Sequence, residues 1–233
     1  GHETEKIELR IVGGTFSFYP RRYQTWFVKR CFDACNGRTA SSLDKAQRLN
    51  EKARHRIVGL SVETRPDFIT KKEILRLRRL GATLVELGVQ SVFDDVHKIC
   101  QTGQDAGVIK KATRMLKEAG FKVLYQMMPN LPGSNPRKDF ECIKTLFDDP
   151  GFRPDWLKIY PCLVCKGSIL YQWFKQGKFA PYPEKDLINL LIEIKKLLPC
   201  WVRLTRLFRD IPSQKIMAGC RTSNIREVIQ QRM

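Results

Sequence analysis

RIVGLSVET (Arg56–Thr64) followed by KKEILRLRRLG (Lys71–Gly81) decides the fold. The first stretch is short, rich in Ile, Val and Leu, and closes on polar residues, as a buried parallel strand does. The second repeats apolar residues at helical spacing among lysines and arginines, and Gly81 stops it. A strand joined to a helix by a short link is the repeating unit of a parallel α/β sheet. Upstream, KIELRIVGG (Lys6–Gly14) leads into helical stretches from about Arg21 to Cys35 and from Ser42 to Arg54. Downstream, LVELGVQS (Leu84–Ser91) precedes helical segments after Val92 and from about Gly107 to Ala119. KVLYQMMPN (Lys122–Asn130) precedes a helix around Pro136 to Phe147, and WLKIYPCLV (Trp156–Val164) precedes SILYQWFKQG and EKDLINLLIEIKKLL. Five such units stand before Leu198, too few for a closed eight-stranded barrel. A doubly wound open sheet or a partial (β/α) barrel fits. After Pro199 the pattern changes: WVRLTRLF reads as an edge strand, IPSQKIMAG as a short helix, and NIREVIQQRM as a final helix capped by Ser223 or Asn224. The expected organisation is a domain over residues 1–198 with a C-terminal strand–helix extension over 199–233.

Charge gives the first hint of a partner. Lys and Arg number 42 against 24 Asp and Glu, a net charge of +18 over 233 residues. Such an excess favours polyanions through counterion release, although general solubility charge explains it too. The basic residues cluster at Arg21 and Arg22, Arg54 and Arg56, Lys71 to Arg79, Lys110 to Lys117, and Arg203, Arg206 and Arg209. Nucleic acid is the favoured partner. No apolar run approaches the roughly 18 residues that span a bilayer, and the charged start GHETEKIEL is no signal peptide. It reads as a chain picked up in mid-domain. Eight cysteines spread over the whole length, mostly in apolar surroundings, suit a reducing cytoplasm better than a disulfide scaffold.

In a parallel α/β sheet ligands bind at the carboxyl ends of the strands. Those ends carry Gly13-Gly14-Thr15, Glu63-Thr64-Arg65, Gln90-Ser91, Met128-Pro129-Asn130 and Tyr160-Pro161. Two glycines let a ligand approach the backbone, or simply make a tight turn. Glu63 suits ribose hydroxyls, or a salt bridge with Arg65. Gln90 both donates and accepts, or caps its loop.

KIELRIVGGTF, GLSVETRPD, VELGVQSVFDDV, MMPNLPGS, FRPDWLKIYP and RDIPSQKIMAG closely resemble consecutive segments of the Elongator catalytic subunit family, and the resemblance runs the length of the chain. It implies an incomplete radical-SAM type partial (β/α) barrel from an enzyme that builds a carboxymethyl group on C5 of the tRNA wobble uridine, using acetyl-CoA and S-adenosylmethionine (SAM). It also implies a [4Fe–4S] cluster held by three cysteines upstream of Gly1, and an acetyltransferase domain beyond Met233. This stretch alone would then be inactive, and tRNA and other Elongator subunits would be its partners. By position, Gly13, Gly14, Thr15, Glu63 and Gln90 match the family's SAM-binding residues, and Lys6 its acetyl-CoA lysine. Lys71, Lys72, Arg76, Arg79, Arg206 and Arg209 are the tRNA candidates, while Lys158 and Tyr160, closing the last barrel strand, are candidates for substrate contact or a solvated rim.

Two departures stand out. Nothing here replaces the cluster cysteines: Cys162 and Cys165 form a CxxC with no second pair, and Cys31 and Cys35 share a helix face as packing thiols. CQTGQDAG places Thr102 where the family has an arginine for the SAM carboxylate, and a hydroxyl cannot make that bidentate pair. A non-catalytic, tRNA-binding scaffold that has lost SAM chemistry is the alternative reading.

Overall fold

The computed structural model describes residues 3–208, 211–222 and 224–233. Strands β1 (Lys6–Ile11), β2 (Arg56–Thr64), β3 (Leu84–Gln90), β4 (Lys122–Met127) and β5 (Trp156–Ile159) are followed by β6 (Val164–Cys165), β7 (Arg203–Arg206) and β8 (Ile216–Ala218). Six of them form one sheet in the order β1-β2-β3-β4-β5-β7. The pairs β1–β2, β2–β3, β4–β5 and β5–β7 run parallel. Helices α1 (Arg21–Asn36) and α2 (Leu43–Asn50) follow β1, and α3 (Lys71–Leu80) follows β2. Next come α4 (Asp94–Ile99) and α5 (Ala106–Glu118) after β3, and α6 (Pro136–Asp148) after β4. The chain ends with α7 (Ile169–Lys175), α8 (Glu184–Leu197) and α9 (Ile225–Arg232). The five strand–helix units and the added edge strand are those read from the sequence. The chain packs as two compact units, Gly1–Gly88 with Ala112–Val123, and Val89–Lys111 with Leu124–Met233.

In the first unit, α3 shows how sequence sets position. Thr70 caps it by accepting from the Glu73 N–H at 3.2 Å, and Gly81 ends it at φ +88°. Its spacing turns Leu77 and Leu80 inward, both buried, and leaves Lys71, Lys72 and Arg79 exposed. Burying each leucine contributes about 1.5–3 kcal/mol. Helix α2 stops at Asn50, short of the Arg54 expected. Asn50 is buried, donates to the His55 carbonyl at 3.0 Å and accepts from the Ile57 N–H at 2.7 Å, so it turns the chain into β2.

In the second unit, Leu124, Tyr125, Met127, Leu157 and Ile159 are buried in β4 and β5, and Ile143, Leu146, Leu191 and Ile194 are buried in α6 and α8. The WLKIYPCLV run is not one strand. β5 stops at Ile159, two residues before Pro161, which has no N–H to donate, and the chain resumes as β6. IPSQKIMAG is a three-residue 3-10 turn followed by β8, antiparallel to β6, where a short helix was expected. Ile216 is buried while Met217 is exposed, the alternation of a strand. Because β7 extends the sheet beyond β5, Lys158 does not close a last strand. It is 5% exposed, so the solvated rim is corrected to a buried residue. Arg209 and Ser223 lie outside the described residues, and Asn224 precedes α9 without a side-chain cap bond.

Candidate functional site

The parallel register of β1 on β2 sets Ile11 beside Val62, so the two chains leave the sheet side by side. Just beyond, the Gly13 N–H donates to Glu63 Oε2 at 2.9 Å. Arg65 instead binds Asp67 at 2.9 Å, so the pairing that competed for Glu63 is not made. Gly13 and Gly14 sit at φ +119° and +128°, where an L side chain is strained, and a Cβ on either would meet no atom within 4 Å. That combination leaves an open, polar backbone surface beside a half-buried carboxylate. Thr15 accepts from the Phe18 N–H through its carbonyl at 3.0 Å and starts the Phe16–Phe18 turn. A cavity of about 120 Å³ next to the glycines is lined by Val12, Gly13, Phe16, Tyr19, Tyr23 and Phe27. Lys6 stands exposed at the start of β1, opposite Arg56. A residue the sequence reading passed over is Glu86, fully buried and in register with Glu63; it accepts from Ser61 Oγ at 3.2 Å.

A hydrogen-bond chain anchors this strand end to α3. Thr64 Oγ1 donates to Ser17 Oγ at 2.8 Å, and Ser17 Oγ donates to Glu73 Oε1 at 2.6 Å. Arg76 completes it, with Nε on Glu73 Oε2 at 2.9 Å and Nη2 on Oε1. Arg76 is therefore a positioning group, while Lys71, Lys72 and Arg79 reach solvent. Lys72 and Arg79 line a cleft of about 810 Å³ together with Arg21 and Thr25 of α1 and Ser42 at the start of α2. Asp44, also on its wall, is paired with Arg48 at 3.2 Å. Arg21 belongs to this cleft although it lies about fifty residues before Lys72, a neighbourhood only the fold creates.

In the second unit, Gln90 ends β3 at φ +69° in a three-residue turn closed by the Ser91 N–H on the Val89 carbonyl at 2.9 Å. Positive φ in a non-glycine residue costs about 1–3 kcal/mol and concentrates at functional sites. Asn130, past β4, has the same φ of +69°. The Gln90 carbonyl accepts from the Met128 N–H at 2.9 Å, and the Tyr160 N–H donates to the Met127 carbonyl at 2.8 Å, which ties these strand ends together. Behind them lies a network without a sequence signal. Asp139, buried in the first turn of α6, accepts from the Asn130 N–H at 2.6 Å, Ser134 Oγ at 2.5 Å and the Tyr182 hydroxyl at 2.9 Å. Burial nevertheless holds its carboxyl above the ordinary Asp range. Thr102 is hydrogen-bonded to His97 Nδ1 at 2.8 Å, while His97 Nε2 lies 2.8 Å from the Ser91 carbonyl. It serves a buried histidine. Arg206 is exposed on β7.

All eight cysteines are free, and among the described residues no group of three His, Cys, Asp or Glu could hold a metal. Burial pushes the Cys162 thiol up to about 12, the opposite of what a thiolate ligand needs. Cys162 packs among Val96, Leu131, Cys100 and Met128, while Cys165 is half-buried. No helix among the described residues is long and apolar enough to cross a membrane.

Residues 2–144 match the family described as the radical SAM superfamily, and residues 154–233 match the radical SAM C-terminal domain. The chain is 47% identical, over its whole length, to a tRNA uridine(34) acetyltransferase of Methanocaldococcus infernus, of which it covers 44%. It is 36% identical to human Elongator complex protein 3, again over its whole length and 43% of that protein. The chain thus spans about half or less of the length of these relatives. Among solved structures, the archaeal Methanocaldococcus infernus Elp3 with an N-terminal deletion superposes with a TM-score of 0.97 at 47% identity, covering all of this chain and 55% of that one.

Proposed function

The chain belongs to the radical SAM superfamily, and from that premise we propose that it is the SAM- and tRNA-binding part of an enzyme that modifies the wobble uridine of tRNA. The observation that carries this reading is the bond from the Gly13 N–H to Glu63, which fixes two strand ends into one open, polar surface. Gly13, Gly14 and Thr15 would take the amino acid end of SAM on backbone that the two glycines leave open, the Gly13 N–H itself being held by Glu63. Glu63 and Gln90 would accept from ribose hydroxyls, and Lys6 would meet acetyl-CoA, its ammonium suited to a phosphate or thioester oxygen. Lys72 and Arg79, with Arg21 on the same cleft, would hold tRNA phosphates, and the exposed Lys71 and Arg206 would add contacts outside it. The relatives' names, tRNA uridine(34) acetyltransferase and Elongator complex protein 3, support a tRNA substrate, an acetyl donor and a multi-subunit setting; a cytoplasmic location is part of the same proposal.

SAM, once bound, supplies the reactive fragment in this superfamily, and the residues here bind and orient it. The described residues do not fit a [4Fe–4S] cluster, since no three of their ligand side chains gather. Residues 1–198 would form the barrel part and 199–233 an extension toward a further domain.

Glu63→Ala in the full-length protein is expected to weaken SAM binding about tenfold, the value of one lost charge-assisted hydrogen-bond set. The thermal midpoint should move by no more than a few degrees. Isothermal titration with SAM checks the first and a melting curve the second. Unchanged SAM affinity removes the ribose role. A full-length protein that binds tRNA but no SAM would establish the scaffold reading, which Thr102 favours.

A further inference from the structure

Helix α1 carries a face that neither the SAM-binding nor the phosphate-binding reading uses. Tyr19 and Tyr23 have ring centroids 5.4 Å apart, and Tyr23 and Trp26 5.7 Å apart. These three rings are 48%, 41% and 55% exposed, and Phe18 beside them is 78% exposed. A contiguous aromatic surface in water marks a docking surface. Its surroundings carry positive charge. The one acid of α1, Asp33, is 4% exposed and neutralised by Lys29 at 2.7 Å and Arg30 at 3.2 Å, whereas Arg21 and Arg22 are exposed. The face is continuous with both neighbouring features. Arg21 and Thr25 point into the basic cleft, while Tyr23 and Phe27 line the cavity at Gly13–Gly14. Two faces of one helix thus present cations and aromatic rings about 10 Å apart, a span that a few nucleotides cover.

We propose that Tyr19, Tyr23 and Trp26 form a stacking platform for unpaired bases of an RNA strand whose phosphates lie in the basic cleft on the other face of α1. The inference rests on the RNA-binding reading above and adds what kind of RNA is held. Cations alone bind a duplex and a single strand alike, whereas exposed rings require bases that have left their stack. An apolar protein partner would leave Arg21 and Arg22 uncompensated at the rim, so charge complementarity favours the polyanion. Bases laid on this platform come to rest beside the strand end that carries Gly13, Gly14 and Glu63.

The test uses the full-length protein and a short single-stranded RNA carrying 2-aminopurine, titrated at several salt concentrations. Tyr23→Ala with Trp26→Ala is expected to lower affinity at least tenfold, abolish the quenching of 2-aminopurine, and leave the salt slope unchanged. Tyr23→Phe with Trp26→Phe keeps the ring faces and should restore both affinity and quenching, which separates stacking from simple loss of packing. Unchanged affinity in the alanine variant overturns the platform, and so does a phenylalanine variant that fails to rescue. A platform covered by another part of the full-length protein gives the first of these results. Should charge reversal in the cleft leave the salt slope untouched while the alanine variant loses quenching, the cleft assignment fails and the platform stands.

Discussion

Reversing charge at Arg21, Lys72 and Arg79 together lowers tRNA affinity on the order of a hundredfold at moderate salt and reduces the salt slope by about two to three. The expectation follows from where the three side chains end. Each lines the same cleft. A phosphate held there releases condensed counterions, and each lost contact removes roughly 0.7–0.9 from the slope of log K against log salt. Arg76 is left out of the set because both of its bonds go to Glu73, and reversing it would unseat the chain through Ser17 to Thr64. Filter binding across a salt series reads both quantities. A drop in affinity without a change in slope would mean that the substitutions damaged folding, not phosphate contacts.

Asp139→Ala destabilises the protein by about 3 kcal/mol, the cost of leaving buried donors unpaired. The Asn130 N–H has no freedom to turn elsewhere, and the Ser134 and Tyr182 hydroxyls lose the acceptor that joins them. The pH dependence carries its own signature. Burial raises the Asp139 pKa above its unfolded value, against the three donors and Lys138, which is itself paired with Asp95. Cys142 and Cys162, the neutral thiols whose own pKa values respond to Asp139, complete its surroundings. A folded state that holds a proton more tightly than the unfolded chain is favoured at low pH. Its contribution is full below the ordinary Asp range near 4 and is lost as pH rises through the raised value. Asp139→Asn should remove that part of the slope in urea denaturation followed from pH 4 upward. A slope identical to that of the parent would dissociate Asp139 from it.

These two predictions differ in how much of them the sequence contained. Lys72 and Arg79 stand seven residues apart on an amphipathic helix, so a shared exposed face follows from periodicity alone. Arg21 joins them only once α1, α2 and α3 stand around one cleft in the first unit, and no local pattern encodes that. Glu63 was legible as a strand-end carboxylate, yet its partner was not. The choice between Arg65 and the backbone of Gly13 depends on the β1–β2 register, set by contacts fifty residues apart. Asp139 was hidden for the opposite reason. An acid in the first turn of a helix is ordinary dipole chemistry, so nothing local announced that this one is buried. Lys158 was misjudged because the edge strand was legible but its place alongside β5, with Arg206 in register with Lys158, was not. Proline and glycine placed breaks well, but the short β6–β8 pairing rests on two and three residues, too few for alternation to speak.

The first unit takes back Ala112–Val123 after the chain has already begun the second. Until Phe121 has emerged from a ribosome, the Arg78 guanidinium has no ring beneath it at 3.8 Å, and Leu116 is missing from the core. The nascent chain therefore cannot complete its first half in order of synthesis. For more than thirty residues of translation the first unit waits for its last segment, an interval in which a chaperone has something to hold.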